Sequence, residues 1–241
     1  MHLFQTLVFA LTVLLSTTVA EAQSTFWELK REQSIYPVSP QKGLQAHVHV
    51  YLPPGFERRR SPVIVYLHGA GERGKPPEVM QNTAIAARLR THPDFPFIVV
   101  SPQLVTDAPE WDPDEVHALL DEILPKLPAD LKRLYVTGMS MGGTGVWRLA
   151  FARPDRFSAI APVATAQKLE GACRIKTVPV WAFHNDPDTY FPMAYSVELV
   201  QALQRCDGKA QITLYKRAGH NAWTEAYKTD ALYDWLLSNV R

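Results

Sequence analysis

Cysteine is scarce here: Cys173 and Cys206 are the only two in 241 residues. Neither has the neighbours of a catalytic thiol, so nucleophilic chemistry has to come from another residue type. An excess of one charge is also missing. Lys and Arg number 25 against 24 Asp and Glu, for a net charge of +1. Without residues 1–22, whose one charged side chain is Glu21, it is +2. Such a balance gives no footing for a nucleic-acid or polybasic membrane partner. Internal repeats, linkers and low-complexity segments are absent as well, so a single domain is expected.

The apolar run at the start, Leu3-Phe4 and then Leu7 to Leu15, is shorter than the roughly 20 residues of a membrane-spanning helix. It has the length of a signal-peptide core, and Ala20-Glu21-Ala22 has the small-x-small cleavage pattern. The n-region carries His2 but no Lys or Arg, a departure from the usual leader. The expectation is a signal peptide over 1–22, cleavage near Ala22–Gln23, a secreted or periplasmic address, and one catalytic domain over 23–241. No cysteine lies near the cleavage point, so no lipid anchor is implied. An oxidising compartment would let Cys173 and Cys206 pair, since each precedes a predicted strand at the same end of strands that could be neighbours; two small buried thiols are the alternative.

What the chain does contain is a nucleophile-elbow pattern. Tyr135-Val136-Thr137 is β-prone and breaks into Gly138-Met139-Ser140-Met141-Gly142, a G-x-S-x-G, ahead of a predicted helix. Side chains at Gly138 and Gly142 would collide with neighbouring backbone, and the tight turn lifts the Ser140 hydroxyl clear of the sheet. The free N–H of Met141 at the helix start then faces a developing oxyanion.

Around the elbow, buried-strand runs alternate with helical ones. Pro62 to Leu67, Phe97 to Pro102, Phe157 to Ala164, Val178 to His184 and Gln211 to Tyr215 read as strands. Glu78 to His92, Pro113 to Leu127, the stretch up to Arg153, Met193 to Arg205 and Ala222 to Val240 read as helices. Thr25 to Glu32 and Leu44 to Leu52 read as two antiparallel edge strands. The expected architecture is α/β: a mostly parallel central sheet with helices on both faces and antiparallel N-terminal edge strands.

Candidate chemistry gathers at the predicted carboxyl ends of these strands. His68-Gly69-Ala70-Gly71-Glu72-Arg73-Gly74 follows the first buried strand but lacks a P-loop's spacing and its Lys-Ser/Thr, and lacks G-x-G-x-x-G. A loop donating the second oxyanion N–H fits better, with His68 orienting it. Asp186 and Asp188 follow another strand and Gly219-His220 a third, so the order is Ser, Asp, His. Serine needs an imidazole to accept its proton, and the imidazole needs a carboxylate to fix its tautomer. From the residues alone either aspartate can serve. His47 and His49 share one strand face without a nearby third metal ligand, and are expected to be solvated, as are Arg58, Arg59 and Arg60. Trp111, in a loop at the same sheet edge, either lines a substrate pocket or packs on the domain; Tyr190 and Trp223 are further candidate lining residues.

At these residues the chain resembles the α/β-hydrolase esterases of phospholipase/carboxylesterase, feruloyl-esterase-like, polyhydroxybutyrate-depolymerase-like or prolyl-oligopeptidase-like type. The resemblance runs from about Leu44 to the C-terminus, through Leu67-His68-Gly69-Ala70-Gly71-Glu72-Arg73-Gly74, Ser101-Pro102-Gln103, Trp111-Asp112-Pro113, the elbow, Val178 to His184, and Gly219 to Thr224. It implies the α/β-hydrolase fold and an acyl-enzyme mechanism needing neither metal nor organic cofactor. Within it Ser140, Asp188 and His220 take the catalytic places, Asp186 is the fallback, and the backbone N–H groups of Ala70 and Met141 take the oxyanion hole. Asn185 stands where such proteins usually have Gly, and Tyr190-Phe191 where they have small aliphatic residues. The implied substrate is a small-molecule or polymer-derived ester, with no nucleic-acid partner and no stable membrane span. Two alternatives stand beside it: a prolyl-oligopeptidase-type peptidase, told apart by amide against ester turnover, and a non-catalytic binding protein on the same scaffold, told apart by whether a fluorophosphonate labels Ser140.

Overall fold

The structure, a computed structural model, describes residues 34–241. The expected leader and the expected strand Thr25 to Glu32 lie outside the described residues. Eight strands form one sheet: β1 Ser34–Pro37, β2 Leu44–Tyr51, β3 Ser61–Leu67, β4 Ile98–Leu104, β5 Ala129–Met139, β6 Ala159–Val163, β7 Val180–Asn185 and β8 Ala210–Tyr215. Their spatial order is β1-β2-β4-β3-β5-β6-β7-β8. The pairs β1·β2 and β2·β4 are antiparallel and the rest parallel. The antiparallel edge therefore exists, with Ser34–Pro37 as the described partner of β2.

Every residue of β3 is buried because both faces of the sheet are covered. Val63, Val65 and Leu67 point into one core cluster, and Ile64 and Tyr66 into the other, as the two-residue period of a strand requires. The first core is closed by α2 Pro113–Ile123, α3 Met141–Ala152 and α4 Ala194–Arg205. The second is closed by α1 Ala84–Thr91, α5 Trp223–Lys228 and α6 Asp230–Ser238. Each fully buried aliphatic side chain in these layers stabilises the fold by roughly 1.5–3 kcal/mol.

Two expected helices are each divided. Thr83 ends a 3-10 segment, Pro77–Asn82, by donating to the Met80 carbonyl at 2.9 Å, and caps α1 by accepting the Ala86 N–H at 3.4 Å. The C-terminal helix breaks at Thr229, in extended conformation. There buried Arg88 of α1 donates to the Lys228 carbonyl at 3.2 Å and pairs with Asp230, so a guanidinium 140 residues earlier in sequence takes the carbonyl that ends α5. His49 also departs from expectation. It is buried, whereas Arg58 to Arg60 are exposed. Among the described residues no group of three or more His, Cys, Asp or Glu is placed to hold a metal, and no helix is long and apolar enough to cross a membrane.

Cys173, in the 3-10 turn Ala172–Ile175, and Cys206, at the end of α4, form a disulfide with Cα atoms 5.6 Å apart. They come together because β7 and β8 are parallel neighbours and both cysteines precede those strands. Closing a loop of this length stabilises by about 3–4 kcal/mol on the chain-entropy account.

Candidate active site

Parallel pairing puts the carboxyl ends of β3, β5, β7 and β8 on one edge of the sheet, where the loops bearing Ala70, Ser140, Asp188 and His220 emerge. β5 ends at Met139 and α3 begins at Met141, so Ser140 alone turns the chain, with φ 54° and ψ −120°. Its N–H is anchored on the Val163 carbonyl of β6 at 2.9 Å. The turn is also pressed against the end of β3. A methyl group on Gly138 would stand 2.7 Å from the Leu67 carbonyl oxygen, and one on Gly142 would stand 2.6 Å from that of His68 and overlap that of Leu67. Only glycine fits at either position, and the close approach holds the elbow against the His68–Gly74 loop.

His220 follows Gly219, whose φ of 101° is a glycine conformation. The imidazole bridges two loops: its Nε2 lies 2.8 Å from the Ser140 Oγ, and its Nδ1 2.8 Å from Asp188 Oδ2. A carboxylate only accepts, so Nδ1 carries the proton and Nε2 is left to accept from the serine hydroxyl. Asp188 is the aspartate brought to His220, whereas Asp186 points to solvent. Burial alone would raise the Asp188 pKa. Hydrogen bonds from His220 and from the Tyr190 and Phe191 amides outweigh it and hold the carboxyl below its ordinary range.

Ala70 opens the 3-10 turn Ala70–Glu72 and Met141 opens α3, so neither N–H has an acceptor within its own helix. His68 holds the loop from beneath. It is fully buried, its Nδ1 donates to the Gly69 carbonyl at 2.7 Å, and its Nε2 accepts the Leu104 N–H at 3.2 Å. That tautomer is the neutral one, and burial pulls its pKa down to about 4. Trp111 belongs to the same support. Only 1% exposed, it donates its indole N–H to the His68 carbonyl at 3.1 Å, so of its two expected places it takes packing rather than pocket lining. Tyr190, 77% exposed, and Trp223 stand beside the imidazole, with ring centroids 5.2 and 5.3 Å from that of His220; Phe191 lies at 5.2 Å.

Asn185, noted in the sequence as a departure from Gly, and two residues whose roles the sequence did not reveal, His184 and Ser196, complete the surroundings of Asp188 and His220. Asn185 donates to the Gly219 carbonyl at 2.7 Å and thereby ties the acid loop to the histidine loop, a bond that glycine at this position could not make. His184 contacts Asp188 and Ser196. The available signal was a polar residue closing an otherwise apolar strand.

His68 has a second fully buried counterpart in His117, whose pKa burial also lowers to about 4. Both values lie below that of an unfolded histidine, so protonation favours the unfolded chain. Their contribution is complete above about pH 6.5 and is lost as the pH falls from there towards 4. We expect stability to drop over that window by on the order of 2 kcal/mol per histidine. Thermal melts from pH 7 to 4 test this, and a flat Tm across the window would contradict it.

A family model, Esterase, matches residues 39–224. Among curated proteins the chain is similar to the cutinase est1 of Thermobifida alba, with 31% identity over 161 residues, 63% of this chain and 53% of the cutinase. It is also similar to the bifunctional acetylxylan esterase/xylanase XynS20E of Neocallimastix patriciarum, with 25% identity over 170 residues, 68% of this chain and 23% of that protein. The match thus spans about half the length of the first relative and about a quarter of the second. Among solved structures, a thermostable esterase superposes with a TM-score of 0.76 at 25% identity, over 87% of this chain and 64% of the other. An S-formylglutathione hydrolase from Agrobacterium tumefaciens, at 17% identity and a TM-score of 0.66 over 87% and 95% of the two chains, shares the fold.

Proposed function

The chain belongs to the Esterase family and has the α/β-hydrolase fold, and from that premise we propose that it is an exported serine hydrolase cleaving carboxylic esters through an acyl-enzyme on Ser140. The observation that carries the reading is the unbroken hydrogen-bonded line Ser140 Oγ, His220 Nε2, His220 Nδ1, Asp188 Oδ2, both contacts being 2.8 Å, at the start of a 12-residue helix.

The Ser140 hydroxyl attacks the ester carbonyl as its proton passes to His220 Nε2. Asp188 holds Nδ1–H and stabilises the imidazolium. The carbonyl oxygen, now negative, accepts from the N–H groups of Ala70 and Met141 and sits at the positive end of the α3 dipole. Collapse of the intermediate expels the alcohol, which takes the proton back from His220, and leaves the acyl group on Ser140. Water, deprotonated by His220, attacks that acyl group by the same route and releases the acid. Every proton and charge in this sequence is handled by protein groups, so no metal or organic cofactor is needed.

In this reading residues 1–22 are a leader removed near Ala22–Gln23, and 23–241 form one catalytic domain released to the periplasm or outside the cell. The similarity to a cutinase and to an acetylxylan esterase/xylanase supports esters carried on extracellular polymers. The rings of Tyr190, Phe191 and Trp223 around His220 support a feruloyl-type carboxylesterase, since planar groups entering there would stack. The test is a panel of chromogenic acetyl, butyryl, lauroyl and feruloyl esters with a matched anilide. We expect ester turnover with little amide turnover, and a Tyr190→Ala loss of about 3- to 10-fold in kcat/KM confined to the feruloyl ester. Anilide turnover exceeding that of every ester would favour a peptidase, and equal losses on all esters would remove Tyr190 from substrate recognition.

A further inference from the structure

The Asp188 carboxylate is saturated. Oδ1 accepts the N–H groups of Tyr190 at 2.8 Å and Phe191 at 3.1 Å, while Oδ2 accepts His220 Nδ1 at 2.8 Å and lies 3.1 Å from His184 Nε2. Those four contacts fill its four lone-pair positions. Three come from the acid loop and the catalytic imidazole. The fourth comes from a second histidine, His184, side chain wholly buried like that of Asp188, at the penultimate position of β7.

The protonation of His184 is dictated by its partners. Nε2 faces the Asp188 carboxylate and the Phe191 carbonyl, 3.1 Å away, and both only accept, so Nε2 must bear the proton. Nδ1 lies 2.8 Å from the hydroxyl of buried Ser196, which therefore donates to it. Burial lowers the His184 pKa, which agrees with a neutral ring. The titratable groups that face it are Asp188 from its own loop and His220 from the loop after β8; α4 presents the uncharged Ser196.

We propose that His184 is a positioning residue for catalysis, and that a hydrogen-bonded chain Ser196–His184–Asp188–His220–Ser140 fixes the rotamer and charge of the acid. The inference rests on the serine-hydrolase reading of the site. Ser196 sets the His184 tautomer, His184 fills the lone pair of Asp188 that His220 does not use, and Asp188 is left one orientation, the one that aims Nδ1–H of His220. A neutral N–H beside Oδ2 also draws part of its negative charge, which tempers its pull on the His220 proton.

The experiment compares wild type, Ser140→Ala, His184→Ala, His184→Gln and Ser196→Ala on one soluble ester, recording kcat, KM, the acid limb of the kcat/KM profile and Tm. Glutamine can place its side-chain N–H near the position of the imidazole Nε2. We expect His184→Ala to lower kcat about 10- to 100-fold with KM within about twofold. Its acid limb should move to higher pH, because Asp188, stripped of one donor, holds the imidazolium proton more strongly. His184→Gln should recover most of kcat and return the limb, and Ser196→Ala should show the same changes more weakly. If His184→Ala does not fold, the limbs of His184→Gln and Ser196→Ala decide the matter: an upward shift in Ser196→Ala alone supports the chain, and none in either overturns it. A lower Tm with unchanged kcat and limb in His184→Ala would also overturn it, making the histidine packing only. The parent reading fails separately, through activity retained by Ser140→Ala whatever His184 does.

Discussion

Ser140→Ala is expected to reduce kcat for ester hydrolysis by about 100,000-fold while leaving the fold intact. The hydroxyl is the only atom lost. Among the described residues its hydrogen bond is to His220 Nε2, whereas the backbone N–H of Ser140 is what anchors the elbow on Val163. Alanine tolerates the turn's φ of 54° no worse than serine does, so Tm should move little. The residual rate would come from the Ala70 and Met141 donors acting on water attack, and for that reason the loss should be large but finite. Stopped assays at high enzyme concentration, with an active-site titrant to exclude contaminating esterase, measure it. Activity above about one per cent of wild type would place the nucleophile elsewhere. Fluorophosphonate labelling should disappear in the same variant.

Asp188→Asn should cost about 10,000-fold in kcat, and Asp186→Asn less than about twofold. The contrast follows from what each carboxyl touches. Asp188 takes the Nδ1 proton of His220; an amide at that place can turn its NH₂ towards Nδ1, which moves the ring proton to Nε2, where it faces Ser140 and cannot accept the serine proton. Asp186 is exposed, and its replacement leaves the imidazole as it was. The Asp188 carboxyl is held below its ordinary range, so it keeps its charge as the pH falls through the weakly acid range. Parallel kcat measurements on the two variants decide between the aspartates, and equal losses would mean that the loop rearranges when either charge is removed.

Much of the site was legible because its signals are local. A serine between glycines at a strand end, a glycine-rich loop after a buried strand and a Gly-His after a third strand each report a backbone conformation that nearby residues impose. Parallel β-α alternation then places all of those loops on one sheet edge whatever the details of packing. For the same reason the strands matched more closely than the helices. A buried strand in a parallel sheet is apolar throughout, whereas a helix end depends on who takes its last carbonyls, and at Lys228 that partner is Arg88 of α1.

The sequence by itself determined the doubly covered, mostly parallel sheet, the elbow at Ser140, and the order in which serine, acid and histidine reach one edge. The residues alone left two aspartates open and the family resemblance favoured Asp188, which is the one that meets His220; tertiary structure alone decided that Trp111 lies under the His68 loop, that Asn185 ties Gly219, and that His184 and Ser196 back the acid. The physical reason is range. Backbone propensity and burial period act over a few residues, and composition records them. A side-chain hydrogen bond to a group 32 or 43 residues away depends on where two loops stop after packing, and no local pattern records that distance.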